Sequence, residues 1–148
     1  MKKISFSIAK STILENVALN SAYAGAKADD NTVVFDKVAT IREDDTLLSN
    51  FFMEMCALLI DKLKAFIASS SLEDSRLDVT LELSNAFDES LSSSIIKDLS
   101  AAVSIGVTAH WFRYTLPARA GEWEKLADDC LSRAISKLCQ RRRPTRTT

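Results

Sequence analysis

Apolar and polar positions alternate over residues 2–8: Ile4, Phe6 and Ile8 fall on one side, Lys3, Ser5 and Ser7 on the other. That period of two predicts a half-buried strand. Thr12 and Glu15 then have the spacing of a capping box, in which a hydroxyl and a carboxylate satisfy orphan N–H groups. A helix is expected to start there, with Ile13, Val17 and Ala24 on one face, and to stop near Gly25. Residues 27–31 are polar and acidic and predict a loop, with a short extended piece at Val33, Val34 and Phe35. Thr40 and Glu43 repeat the capping-box spacing ahead of Leu48, Phe52, Met55, Leu59, Leu63 and Phe66, which step by three and four. Leu47, Phe51, Leu58 and Ile67 broaden that stripe, so a long helix buried on more than one side is expected, ended by Ser69, Ser70 and Ser71 and a polar connector through Arg76.

The clearest strand follows. Leu77, Val79, Leu81 and Leu83 alternate with Asp78, Thr80, Glu82 and Ser84, and unpaired backbone groups need a partner, for which residues 4–8 are the expected segment. A third helix is expected from between Asn85 and Ser90 to Tyr114, with Leu91, Ile95, Leu99, Ala102, Val103, Gly106, Val107 and His110 on one face. Gly106 and Ala102 leave room there for close approach of another helix. Pro117 suits the first turn of a last helix, since its missing N–H would have been an orphan. That helix carries Trp123, Leu126, Ala127, Cys130, Leu131, Ala134, Ile135 and Leu138 at helical spacing. The expected fold is mainly α (α+β), a bundle of three to four helices with a small two-stranded antiparallel sheet, forming one domain over residues 1–140 before a basic tail at 141–148.

Composition sharpens this picture. With 148 residues, 47% of them apolar, and only three Gly and two Pro, the chain can support a core without disulfides or metal and has little punctuation for many short strands. Disorder, collagen and a disulfide scaffold are excluded. Cys56, Cys130 and Cys139 show no CxxC spacing, and they read as reduced, small core residues. Lys10 and Glu15 interrupt the first apolar stretch before a signal-peptide core is complete, and no apolar run is long enough for a membrane span, so no membrane contact is expected.

The net charge of −1 is a balance of two parts. Residues 1–132 carry 13 basic and 20 acidic side chains, a net of −7, whereas residues 133–148 carry six basic and no acidic ones, a net of +6. Arg141, Arg142, Arg143 and Arg146 are therefore candidate contacts to nucleic acid or to an acidic protein surface. The plainer reading is that Arg133 and Lys137 complement a helix C-terminus and the arginines keep the chain end soluble.

Groupings that support catalysis are scarce. The sequence has one histidine, His110, on an apolar face, where a satisfied core residue is the plainer reading than a ligand or base. No H-E-x-x-H, CxxC, GxSxG, P-loop or GxGxxG occurs, so no enzyme activity, no cofactor and no metal site is expected. Asp44 with Asp45 and Asp128 with Asp129 are adjacent on helices and point apart. Trp111, Phe112, Tyr114 and Trp123 either close the apex of a helical hairpin or place one or two rings outward as interface anchors, with Trp111, Phe112 and Trp123 the candidates.

The run A-A-V-S-I-G-V-T-A-H-W-F-R-Y at 101–114, followed by E-W-E-K-L-A-D-D-C-L, resembles helical head-to-tail connector and completion proteins of tailed bacteriophages, in which an apolar helix ends in A-H-W-[FY] ahead of a second helix. Y-A-G-A-K, F-D-K-V-A-T-I-R-E-D-D, V-T-L-E-L-S-N-A-F-D and the closing R-R-R-P-T-R are similar in layout to prophage proteins, so the likeness spans most of the chain. The resemblance implies a virion structural protein of the neck, connector or tail, a homo-oligomeric ring made in the bacterial cytoplasm that assembles with neighbouring virion proteins without catalysis. The alternative is a nucleic-acid-binding or DNA-packaging accessory protein that uses the basic tail.

Overall fold

The computed structural model of the chain describes residues 1–28 and 44–142. A strand, β1 (Lys2–Ala9), runs directly into a helix, α1 (Lys10–Ala28). After the undescribed stretch come α2 (Asp45–Lys62), β2 (Ile67–Leu72) and β3 (Arg76–Leu83). A short 3-10 turn (Glu89–Leu91) leads into α3 (Ser92–Thr115), and α4 (Pro117–Leu138) completes the order. The result is mainly helical with a small antiparallel sheet, as the sequence pattern predicts.

The predicted pairing of the two alternating segments is present. β1 lies antiparallel to β3 with Ile4 opposite Leu81, Phe6 opposite Val79 and Ile8 opposite Leu77, so apolar side chains of both strands share one buried face. The sheet has three strands rather than two, in the order β1-β3-β2. β2 contains Ser69, Ser70 and Ser71, expected in a connector. Its side chains are exposed or half-buried on both faces, so it has no hydrophobic period to read, and it exists because β3 offers its second row of backbone groups. The long helix consequently ends at Lys62 instead of reaching Phe66, and a turn from Phe66 N–H to the Leu63 carbonyl (2.8 Å) redirects the chain into β2.

Other boundaries shift for local reasons. α1 starts two residues before Thr12, with its Lys10 N–H held by the Ser75 carbonyl at 2.9 Å, so Thr12 lies within the first turn and is not the cap. It also runs past Gly25, where no positive φ is used. The capping box at Thr40 and Glu43 and the extended piece at Val33, Val34 and Phe35 lie outside the described residues. At the entry to α3, Asp88 acts as the cap of the 3-10 turn, its carboxylate accepting from the Ser90 N–H at 3.1 Å.

α3 is the central element. It packs on α1, α2 and α4, and its buried positions, including Ser104, Thr108 and Ala109, go nearly all the way round. Against α1 the seam is polar: Asn16 donates to Ser104 Oγ (3.3 Å) and Asn20 to Thr108 Oγ1 (3.4 Å), while Thr108 donates to the Ser104 carbonyl (2.8 Å). α4 follows α3 across Leu116, whose N–H bonds to the Phe112 carbonyl at 2.8 Å, with Pro117 in the first turn as expected. Leu126, expected on the inner face of α4, is 47% exposed. Ala127, Cys130, Leu131 and Ala134 cover the core beside it, and the small side chains of Ala127, Cys130 and Ala134 let α4 lie close to α3.

Candidate functional site

The aromatic cluster divides between inside and outside. Trp111 and Phe112 are buried within the chain, which corrects their candidacy as interface anchors. The Phe112 ring meets Trp123 edge-on, with centroids 5.4 Å apart and planes at 81°, so the two close the hairpin of α3 and α4. Trp123 is half-buried by that contact. Tyr114 is the outward ring, 68% exposed, and it stacks on Phe51 at 6.0 Å. Successive residues on a helix turn by about 100°, so two inward neighbours at 111 and 112 force 113 and 114 outward.

Phe51 also stacks on His110 at 5.3 Å. Burial holds the imidazole below the usual histidine range, and the Arg113 charge adds to this, opposed by Glu54 and Glu124. His110 is thus a half-buried residue on the rim of a cleft. α2 and α4 flank α3 and make little contact with each other, leaving this cleft of about 160 Å³ above α3. Gly106, Ala109 and Ala127 form a floor of small residues, Met55 and Leu58 an apolar wall, and Glu124 and Asp128 an acidic edge. Arg113 Nε pairs with Glu124 Oε1 at 2.5 Å. Among the described residues, Glu54 and Asp128 have no ion-pair partner, and both are exposed. Asp129 sits beside Asp128 but outside the cleft lining, so the pair does point apart.

Gly106 explains the shape of the floor. A Cβ there would stand 2.3 Å from Met55 Cε and 2.9 Å from its Sδ. Gly106→Ala is therefore expected to gain roughly 0.5–1 kcal/mol of helix stability but lose a comparable amount by displacing Met55, for a small net change. In a Met55→Ala background the same substitution is expected to stabilise by about 1 kcal/mol. Equal effects in both backgrounds, measured by urea denaturation, would refute the contact.

The basic segment is partly anchored. Arg141 bridges to Phe87, the Arg142 N–H donates to the Ala86 carbonyl at 2.6 Å, and the Asp88 N–H to the Gln140 carbonyl at 3.4 Å. The expected boundary at 140 thus does not release a free tail: its first two arginines are pinned by backbone to the body with side chains exposed. Hydrogen bonds from Ser90 hold the Asp88 carboxyl below its usual range, with the Arg142 and Lys2 charges assisting. Arg143 and Arg146 lie outside the described residues.

Two further surfaces were not read from the sequence. Leu19 and Tyr23, one turn apart on α1, are 70% and 67% exposed. Their helix lacks the polar stripe that would mark an outer face. The outer face of the sheet forms a shallow hollow of about 440 Å³ lined by hydroxyls. There Ser5 and Thr80 bond to each other at 3.0 Å, Ser7 donates to Asp78, and Arg76 pairs with Asp78 at 3.0 Å, so these groups satisfy one another.

Among the described residues no group of three His, Cys, Asp or Glu side chains is placed to hold a metal ion, and no helix is long and apolar enough to cross a membrane. Cys56 and Cys130 are buried, and burial pushes the Cys56 thiol up to about 12. Cys139, expected in the core, is exposed because α4 ends just before it. Iodoacetamide under native conditions is accordingly expected to modify Cys139 and to spare Cys56 and Cys130; intact mass showing three adducts before unfolding would contradict this burial. No family model, curated protein or solved structure matches this chain.

Proposed function

We propose that the chain is a structural subunit of a phage or prophage virion, part of a head-tail connector, neck or tail completion ring, and that it acts by protein-protein assembly. The observation that carries this reading is the pair Leu19 and Tyr23, large apolar side chains exposed together on the outer face of α1. Adjacent exposed apolar groups of this kind favour a contact surface over a face solvated in isolation. Tyr114, exposed on Phe51, adds a second aromatic group. The resemblance of residues 101–114 to connector and completion proteins supplies the particular assembly.

The test is sizing of the full-length protein alone and with the neighbouring virion proteins of the same phage. Multimers or a stable complex are expected, and Leu19→Glu is expected to weaken them at least about tenfold without lowering the melting temperature. A strictly monomeric protein that binds none of its neighbours would sink the reading. The other function to which the exposed Arg141 and Arg142 lend support is nucleic-acid binding; it requires DNA retention at low salt that falls as those arginines are removed.

A further inference from the structure

We propose that the cleft between α2 and α4 receives the arginine-bearing segment, residues 141–146, of a second copy of the chain. The proposal rests on the assembly reading above and deepens it by naming the two surfaces that meet. The cleft is narrow, its floor is Gly106, Ala109 and Ala127, and Met55 lines the wall. Such a lining suits the methylene stem of a long side chain and would lose nothing by excluding water. Its edge carries Glu124 and Asp128, and Glu54 is close enough to act on His110. Among the described residues that line the cleft, Arg113 alone offsets these carboxylates, through Glu124, so this lining carries excess negative charge. An aliphatic stem that ends in a planar cation matches both halves of this surface, and Arg141, Arg142, Arg143 and Arg146 supply four of them in six residues.

Geometry favours a neighbour over the same chain. The ten helical steps of α4 from Asp128 to Leu138 rise about 15 Å. Arg142 is then held on Ala86, beyond the end of that helix. From Arg142, the four residues to Arg146 span at most about 14 Å when fully extended. Folding back would leave Arg141 and Arg142 out of their own cleft, whereas another copy can present the segment as a unit. Backbone anchoring of Arg141 and Arg142 also lowers the entropy lost on docking. Because cleft and segment are different patches, a contact that runs from copy to copy is heterologous, and it forms a ring where the rotation between copies closes.

The experiment is sedimentation velocity on the full-length protein at low ionic strength, with three variants: Glu54→Lys with Asp128→Lys, Arg143→Glu with Arg146→Glu, and all four changes in one chain. Glu54 and Asp128 are exposed, Arg143 and Arg146 lie outside the described residues, and circular dichroism checks that each variant folds. Wild-type protein is expected to self-associate, less so as salt rises. Each double reversal is expected to weaken association about tenfold or more, and the fourfold variant to regain it, since the charges are exchanged between the surfaces.

Association unchanged by either reversal overturns the inference while leaving assembly through Leu19 and Tyr23 standing. Failure of the fourfold variant to recover also overturns it, as does a wild-type protein that stays monomeric. If reversing Arg143 and Arg146 abolishes DNA retention but leaves self-association intact, the segment serves nucleic acid and the inference is wrong.

Discussion

Replacing Phe112 with alanine is expected to lower the unfolding free energy by about 3–5 kcal/mol, the range for truncating a fully buried phenylalanine. The ring has 0% exposure and meets the edge of Trp123 across the hairpin of α3 and α4. Those two helices form the most extensive pairing among the described elements and turn across Leu116 and Pro117 without a loop that can close over a void. Trp123→Ala is expected to cost distinctly less, because that side chain is only partly buried. Urea denaturation followed by circular dichroism reads both, as a shift in midpoint with an unchanged slope. A loss below about 1 kcal/mol for Phe112→Ala would mean that the apex collapses around the gap and that the ring does not hold the hairpin.

The second large effect lies at the other end of the same hairpin. Lys137 Nζ donates to Asp98 Oδ2 and to Ser94 Oγ, each at 2.6 Å, and both charged side chains are largely buried. Asp98→Ala leaves the ammonium with one neutral acceptor, and the expected cost is about 2–3 kcal/mol. Asp98→Leu combined with Lys137→Met removes both charges and is expected to cost much less, since neither partner is then left uncompensated. A control is Asp78→Ala, which breaks the exposed pair with Arg76 and is expected to cost about 0–1 kcal/mol. If Asp98→Ala falls in the range of the control, the pair is solvated in solution and does not fasten α4 to α3.

The pattern of residues was informative wherever one face of an element meets the core and the other meets water. β1 and β3 show their period of two because Ile4, Phe6, Ile8 and Leu77 to Leu83 face the helices, and their pairing followed from there being unpaired backbone on both. β2 was illegible because neither of its faces is buried, so its identity as a strand depends on a hydrogen-bonding edge supplied by a distant segment. α3 was readable as a helix but not as the central one: a single apolar face was expected, and contacts with three other helices bury almost every side. That same crowding decides which rings of the aromatic run are inside, and it turned Trp111 and Phe112 inward and Tyr114 outward.

The candidate site was legible only in part for a related reason. Arg141, Arg142, Arg143 and Arg146 stand out as charge, because charge is a property of the chain. The acidic surface opposite them does not, since Glu54, Glu124 and Asp128 come from two helices separated by many residues and are unremarkable in each. Leu19 and Tyr23 lie on a helix with no clear amphipathic stripe, and exposure there depends on α3 occupying the other side through Asn16 and Asn20.

Local periodicity, turn chemistry and charge thus determined that this protein is a mainly helical domain with a small sheet, an acidic body and a basic closing segment, because each of these follows from neighbours in the chain. The third strand, the centrality of α3, the inward turn of Phe112 and the acid-edged cleft were decided by the tertiary structure alone, because each depends on what a distant segment supplies: a hydrogen-bonding edge for β2, apolar surface for α3 and Phe112, and carboxylates from two helices for the cleft.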